Sequence, residues 1–503
     1  MHLRELIKSL GGSCALQDAG PEVRDVHVDS RRVGVGDLFA ALPGTEQDGG
    51  RFIADAVARG AVVVLTPHEC DLRAVNLCMP GLDVAHWVHQ GARRVVGQAA
   101  ALVHGSPARS LGVAGITGTN GKTTTAHILG HLLDEAHLSP AVLGTAGHRL
   151  AGGRNLAATH TTPDAPELVR LLALHAEAGG RTVVMEVSSH ALVQERTSGV
   201  DFDVAVFTNL TREHLDYHGD MDSYARAKAR LFEHLAPGAV AVLNLDHPAW
   251  RTMAKAAERA GARTMTYSTR SPADLRASGL RTDLAGSLFN IDGMGIFSTE
   301  LRLPLRGRYN VENALAAAAA ARLLGASPSS VLEGLATTSA APGRLEPVFT
   351  GGRGFQLYVD YAHSPDALER VLTVLRQDLE KRQDGGRLIV VFGCGGDRDA
   401  GKRPEMGRVA SALADVAVVT SDNPRGESPD RVIADILVGM GAGAQPARRV
   451  VEVDRRVAIQ RAVELAHAGD VLLLAGKGHE TGQEIGDRVL AFDDRVVAQE
   501  ALA

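Results

Sequence analysis

The sequence predicts an α/β protein of three domains, and three features lead there. From residue 111 onward, continuous β-branched runs alternate with helical stretches, the pattern of strands buried on both faces of a parallel sheet. Two breaks rich in Gly, Ser or Pro, at 104–110 and 339–348, interrupt the alternation and mark junctions. A chain of 503 residues also exceeds what a single hydrophobic core holds.

The elements follow in order. Residues 1–105 mix short strand-like runs, "DVHVDS" and "AVVVL", with the helix-like "RFIADAVARG". The second segment offers strands at 111–116, 182–187, 203–208 and 239–244, an antiparallel flank near 278–305, and an Ala-rich helix at 310–325. Beyond the second break, strands are expected at 355–361, 387–393, 415–420 and 471–476. The expected domains are 1–107, 108–341 and 342–503.

Composition narrows the class. Hydrophobic residues make up 45% and charged residues 22%, with a net charge of −6, so neither nucleic acid nor an acidic membrane is an expected partner. Cys14, Cys70, Cys78 and Cys394 have neither metal-ligand spacing nor the density of a disulfide framework,. The N-terminal "MHLRELIKSLGG" is amphipathic rather than a leader,. No apolar run approaches the about 20 residues of a membrane span. A cytoplasmic monomer is the expectation.

The run 112–129, "GVAGITGTNGKTTTAHIL", reads as strand, Gly-rich turn and helix start. Gly115, Gly118 and Gly121 let backbone N–H groups approach an anion, and the helix N-terminus adds its positive end. Lys122 is placed to reach terminal phosphates and Thr123 to ligate Mg²⁺. Ile116 occupies the first Gly position of the standard spacing, with Gly115 one residue earlier. Gly118, Thr119, Asn120, Gly121, Lys122, Thr123 and Thr124 form the candidate ATP loop. The loop alone does not separate an ATPase, a nucleotide switch and a ligase.

Glu186 ends one strand, and His214 and Asp216 follow another. Open α/β sheets bind ligands past strand C-termini, and a carboxylate with an imidazole there suits Mg²⁺, directly or through water. Lys228 lies in the helical run 223–232 and by itself reads as a solvated lysine.

The motifs "GTNGKTTT", "MEVSSHAL", "TNLTREHLDYHGD", "RGRYNVENALAAAA", "PGRLEPV", "VDYAHSPDAL", "VFGCGGDRDAGKRPEMG", "SDNPRGESP" and "GKGHET" occur in this order. Together they resemble the Mur ligases of peptidoglycan synthesis over essentially the whole chain. The resemblance implies a UDP-binding N-terminal domain, a central phosphate-loop ATPase with a parallel sheet, and a Rossmann-like C-terminal domain. It implies ATP-driven joining of an amino acid to the D-Glu carboxylate of UDP-N-acetylmuramoyl-L-alanyl-D-glutamate through an acyl phosphate.

Residue roles are carried over by motif. Lys228 resembles a carbamylated lysine (N6-carboxylysine) that joins Thr123, Glu186 and His214 around Mg²⁺, and Lys122, Glu186, His214 and Lys228 form the catalytic set. Asn310 and Asn313 resemble an adenine-contacting pair; Arg344 and Asp360 resemble further nucleotide contacts. "VDSRRV" resembles a uridine motif through Ser30, and the loop after it carries Thr45 and Glu46 where some relatives have His-Gln. Thr161, Thr162, Ser188 and Arg196 resemble contacts to the muramoyl dipeptide. Arg398, Asp422, Asn423, Pro424, Arg425, Gly476 and Glu480 resemble contacts to the incoming amino acid. A guanidinium binds a carboxylate through two parallel hydrogen bonds, so Arg425 favours meso-2,6-diaminopimelate over L-lysine, which lacks the distal carboxylate. A sibling ligase, a folylpolyglutamate synthase, a phosphate-loop switch and an inactive scaffold are the competing readings.

Overall fold

The computed structural model describes all residues except 17, 45–46, 70–83, 284, 383–384 and 442–446. Thr45, Glu46, Cys70 and Cys78 lie outside the described residues. Three large sheets run along the chain in order. The first pairs Val26–His27, Leu38–Ala40, Val63–Thr66 and Ala85–Val88, all parallel.

The second sheet has eleven strands. Its middle is parallel and ordered Leu235–Asn244, Phe202–Phe207, Gly112–Thr117, Thr182–Glu186, Pro140–Gly144. The apolar runs of these strands are buried, as expected of a sheet covered on both faces,. Antiparallel strands flank it, including Leu275–Asp283, Gly286–Gly293 and Ile296–Leu303 on one side. The sequence missed the strands at 140–144 and 263–268. "PAVLG" is short and opens on proline, and "RTMTYS" is largely polar.

The Ala-rich helix Arg308–Leu323 and the helix Lys122–Glu135 belong to one core cluster beneath this sheet. Alanine's small side chain lets the two helix backbones approach closely, and its high propensity keeps the long helix intact. The third sheet, of six strands, orders Glu346–Val348, Gln356–Asp360, Val471–Ala475, Leu388–Phe392, Val416–Val419 and Arg448–Val451. Only its first pair is antiparallel. Among the described residues no helix is long and apolar enough to cross a membrane.

Polar contacts join the sheets. Arg170, on the helix Ala165–Glu177, donates to Asp25 at 3.1 Å and to His27 Nδ1 at 3.3 Å. His27 Nε2 lies 3.2 Å from Asp37 and 3.5 Å from Asp25. A donor on Nδ1 leaves that nitrogen unprotonated, so His27 is neutral here. Burial lowers its pKa, and the Arg170 and Arg32 charges reinforce that against Asp25 and Asp37. A depressed histidine contributes stability above the unfolded value of about 6.5 and loses it as pH falls. Melting temperature is therefore expected to drop on acidification below about pH 6.5. His27→Gln should remove its share of that slope, and an identical slope in the variant would contradict the assignment.

Candidate active site

Gly112–Thr117 ends at the centre of the second sheet and turns into helix Lys122–Glu135. Gly121 caps that helix at φ +89°, and a Cβ there would meet Asn313 Oδ1 at 2.4 Å. Only glycine satisfies both the left-handed backbone and this closeness. Lys122 Nζ donates to the carbonyls of Gly118 and Thr119, each at 2.9 Å. Asn120 N bonds Asn209 Oδ1 at 2.9 Å, and Thr208 Oγ1 donates to Asn120 O at 2.6 Å. The loop is thus held open from the neighbouring strand end.

Glu186 ends strand Thr182–Glu186 beside the loop. Its carboxylate accepts from Thr123 Oγ1 at 2.9 Å and from Thr145 N at 2.9 Å. Arg344 Nη2 donates to Thr123 Oγ1 at 3.0 Å and its guanidinium lies 4.5 Å from the Tyr361 ring. The Thr123 hydroxyl and the Glu186 carboxylate side by side are hard oxygen donors. They fit Mg²⁺, which takes one or two protein oxygens plus water and phosphate.

Lys228 points inward from helix Met221–Glu233 and is 1% exposed. Its Nζ donates to Gly118 O at 2.8 Å and sits 4.4 Å from the Tyr224 ring centre. Burial, with the charge of Lys122 nearby, pushes its pKa well below the ordinary lysine value. As an ammonium it has no lone pair to offer a metal; as a carbamate it would present two oxygens, the donors Mg²⁺ prefers. His214 has φ +56° at the N-terminus of the short helix Leu215–His218. Burial lowers its pKa to about 3, against the pull of Glu213, so it carries a free lone pair.

Asn310 and Asn313 share the buried N-terminal turns of helix Arg308–Leu323, with Asn313 Nδ2 3.3 Å from Asn310 Oδ1. Asp360 accepts from Leu345 N at 2.6 Å and from Ala362 N at 2.8 Å, and burial raises its pKa against the nearby Arg344 charge. These residues, Arg344 and the loop residues 119–124 line one cavity of about 220 Å³.

A second cavity, about 560 Å³, is lined by Arg398, Asp422, Asn423, Arg425, Gly476 and Glu480 together with residues of the central segment. Glu213, His214, Tyr361 and His363 line both cavities, which therefore lie side by side. Pro424 is in the same loop, between Asn423 and Arg425. Arg425 has φ +51°, pairs through Nε with Glu484 at 2.6 Å, and donates from Nη1 to Gly396 O at 3.0 Å. Gly476 has φ +115°, and a Cβ there would meet Asp422 Oδ2 at 2.4 Å.

Thr161, Thr162, Ser188 and Arg196 gather below Glu186. Thr162 Oγ1 donates to Glu186 O at 2.9 Å and accepts from Ser188 N at 3.1 Å. Arg196 Nη1 donates to Thr162 O at 3.1 Å, and Thr145 Oγ1 donates to Thr161 Oγ1 at 3.1 Å. Arg196 also lines a narrow cleft toward the first sheet, with Val28, Pro43 and Gly44. Ser30 is buried in the turn Ser30–Arg32, where its hydroxyl bonds Asp55.

Sequence reasoning overlooked several participants. Glu213 Oε1 lies 3.0 Å from His363 Nε2, across the junction between the second and third sheets. Asp366 accepts from Asn120 Nδ2 at 2.7 Å, and His479 Nε2 approaches Thr145 O at 3.1 Å. Lys477 is fully buried and donates to both Asn423 Oδ1 and Glu480 Oε2 at 3.0 Å. All five (Glu213, His363, Asp366, Lys477, His479) stand inside motifs already quoted; their proximity to assigned residues was the available signal.

Three family models match in register with this architecture: Mur ligase family, catalytic domain, over residues 22–106; Mur ligase middle domain over 116–321; and Mur ligase, glutamate ligase domain, over 343–478. The chain belongs to the Mur ligase family. A UDP-N-acetylmuramoyl-L-alanyl-D-glutamate–2,6-diaminopimelate ligase from Solibacter usitatus is 44% identical over all of this chain and 98% of its own. A ligase of the same name from Syntrophomonas wolfei is 42% identical, covering all of this chain and 99% of its own. A solved structure of a ligase of that name superposes with a TM-score of 0.68 at 35% identity, covering 100% and 99% of the two chains. A Mycobacterium tuberculosis folylpolyglutamate synthase shares the fold at 21% identity, with a TM-score of 0.62 over 76% of this chain and 92% of its own.

Proposed function

We propose that this Mur ligase joins meso-2,6-diaminopimelate to the D-Glu carboxylate of UDP-N-acetylmuramoyl-L-alanyl-D-glutamate, with ATP converted to ADP and phosphate. The observation that carries this is the pair of adjacent cavities, one beside a phosphate loop and one lined by Arg398 and Arg425, in a chain whose full-length relatives bear that ligase name.

The chemistry explains the arrangement. A carboxylate is a poor electrophile, since its leaving group would be oxide. Transfer of the γ-phosphoryl group to the D-Glu carboxylate oxygen gives an acyl phosphate and ADP. The diaminopimelate amine then attacks the acyl carbon, loses its proton, and phosphate leaves. Phosphoryl transfer onto an anion crowds negative charge, so positioned cations dominate catalysis. Lys122, turned from the Gly118 and Thr119 carbonyls toward the nucleotide, supplies one. Bound Mg²⁺ would neutralise phosphate charge, held by Thr123 and Glu186 with His214 and carbamylated Lys228 contributing. Glu213, His363 and Tyr361, shared by the two cavities, stand where acyl phosphate and amine would meet.

At the far cavity, Arg425 and Arg398 offer guanidinium groups to the distal carboxylate, and Asp422, Asn423 and Glu480 offer acceptors to the distal ammonium. L-Lysine lacks the carboxylate these guanidinium groups would bind and so forgoes those charge-assisted hydrogen bonds, an energetic rejection. Purified protein assayed for phosphate release with a panel of amino acids tests the reading. Turnover is expected with diaminopimelate and at least about a hundredfold less with L-lysine. Turnover on L-lysine equal to that on diaminopimelate, or ATP hydrolysis independent of any amino acid, would overturn it.

A further inference from the structure

Arg403 is a buried cation near the second cavity, 1% exposed, yet it does not line that cavity. It leaves helix Lys402–Leu413 and grips Glu427 with two nitrogens, Nη2 to Oε1 at 2.7 Å and Nη1 to Oε2 at 3.0 Å. Nη1 also meets Asp435 at 2.9 Å, and Nη2 donates to Gly395 O at 3.3 Å.

Glu427 belongs to the segment 421–428, which carries Asp422, Asn423 and Arg425. Its Oε1 also accepts from Asp397 N at 2.6 Å, in the segment 393–399, which carries Arg398. The two segments are laced elsewhere by backbone. Gly396 N donates to Asn423 O at 2.9 Å, and Gly426 N donates to Asp397 Oδ2 at 2.9 Å. They run so close that a Cβ on Gly396 would meet Pro424 O at 1.9 Å. Asp397 and Arg425 each hold a left-handed backbone, at φ +53° and +51°, which costs energy in a non-glycine residue and persists only where neighbours impose it.

We propose that the pair of buried Arg403 and partly exposed Glu427 is the positioning brace that sets the separation of Arg398 and Arg425, and thereby the selection of an amino acid with a distal carboxylate. This rests on the reading that those two arginines face the diaminopimelate carboxylate. The fork of Arg403 and the planar carboxylate of Glu427 match in only one orientation, and one carboxylate oxygen serves both segments. A shift of either segment changes both guanidinium positions together. A misplacement of about 1 Å is enough to lose a bidentate contact and much of its rate advantage.

Two variants test it by different physical means. Glu427→Gln keeps the size but removes the charge; Gly396→Ala forces the segments apart without touching a charge. KM for diaminopimelate is expected to rise about tenfold or more in each, while KM for ATP and for the UDP-linked dipeptide stays within about twofold. The preference for diaminopimelate over L-lysine should fall in parallel. An unchanged KM for diaminopimelate in both variants, or equal rises in all three KM values, would overturn the brace. Arg425→Lys is assayed alongside. If that variant leaves KM for diaminopimelate unchanged, the reading of the cavity fails. If it raises KM while Glu427→Gln and Gly396→Ala do not, the brace alone fails.

Discussion

Lys228→Ala should lower kcat by about a thousandfold, the upper end for losing one group aimed at developing charge. Lys228 is buried beside a second lysine, with its Nζ on Gly118 O. An ammonium there would add repulsion at the loop that must receive phosphates. Burial, assisted by Lys122, lowers its pKa and so favours the neutral amine, which is the form that captures CO₂ as a carbamate. As a carbamate the side chain would be an anion with oxygen donors beside Gly118, in the loop that leads to Thr123. Removing the side chain removes those oxygens and leaves a void that a small carboxylate can enter. Formate or acetate should therefore restore a measurable part of the lost activity. In wild type, CO₂-depleted buffer should depress turnover reversibly. Near-normal activity in Lys228→Ala would take Lys228 out of the reaction, and a dead variant indifferent to every carboxylate would remove the carbamate.

Arg425→Lys should cost about a hundredfold in kcat/KM for diaminopimelate, or about 3 kcal/mol at 1.4 kcal/mol per tenfold. L-Lysine should be used as well as before or better. The backbone of Arg425 is fixed by Arg425 N to Glu484 O at 3.1 Å and by Gly486 N to Arg425 O at 2.8 Å. Glu484 pairs with Nε, so the guanidinium is held in one plane before a ligand arrives. An ammonium on a flexible stem keeps the charge but not the fork. The ratio of the two amino acids in competition is the measurement. An unchanged ratio would mean that selection lies elsewhere in the cavity.

Much of this site was legible because its chemistry sits at strand ends. Glu186 closes the run "TVVME", and Lys122 opens a helix directly after "GVAGIT". Periodicity locates such positions without a structure, since alternation of strand and helix is a local property. Ser30 shows the limit of that approach. It stands in a recognisable motif, but that it is buried and bonded to Asp55 could not be read from the motif. Glu213 and His363 show the converse: neither was singled out, and they meet across 150 residues of chain.

By itself, then, the order of residues determined the α/β class, the phosphate loop and the strand ends where ligands gather. Burial patterns and turn chemistry act over a few residues and leave their mark in sequence. Tertiary structure decided the charges. Lys228, which reads as a solvated helix lysine, is turned inward onto a loop 110 residues earlier. Arg403 and Lys477 become fully enclosed cations with specific partners. Asn120 finds Asp366 across 246 residues. The protonation and reach of each group depend on which charges and how much water surround it, and those neighbours come from distant segments that only folding brings together.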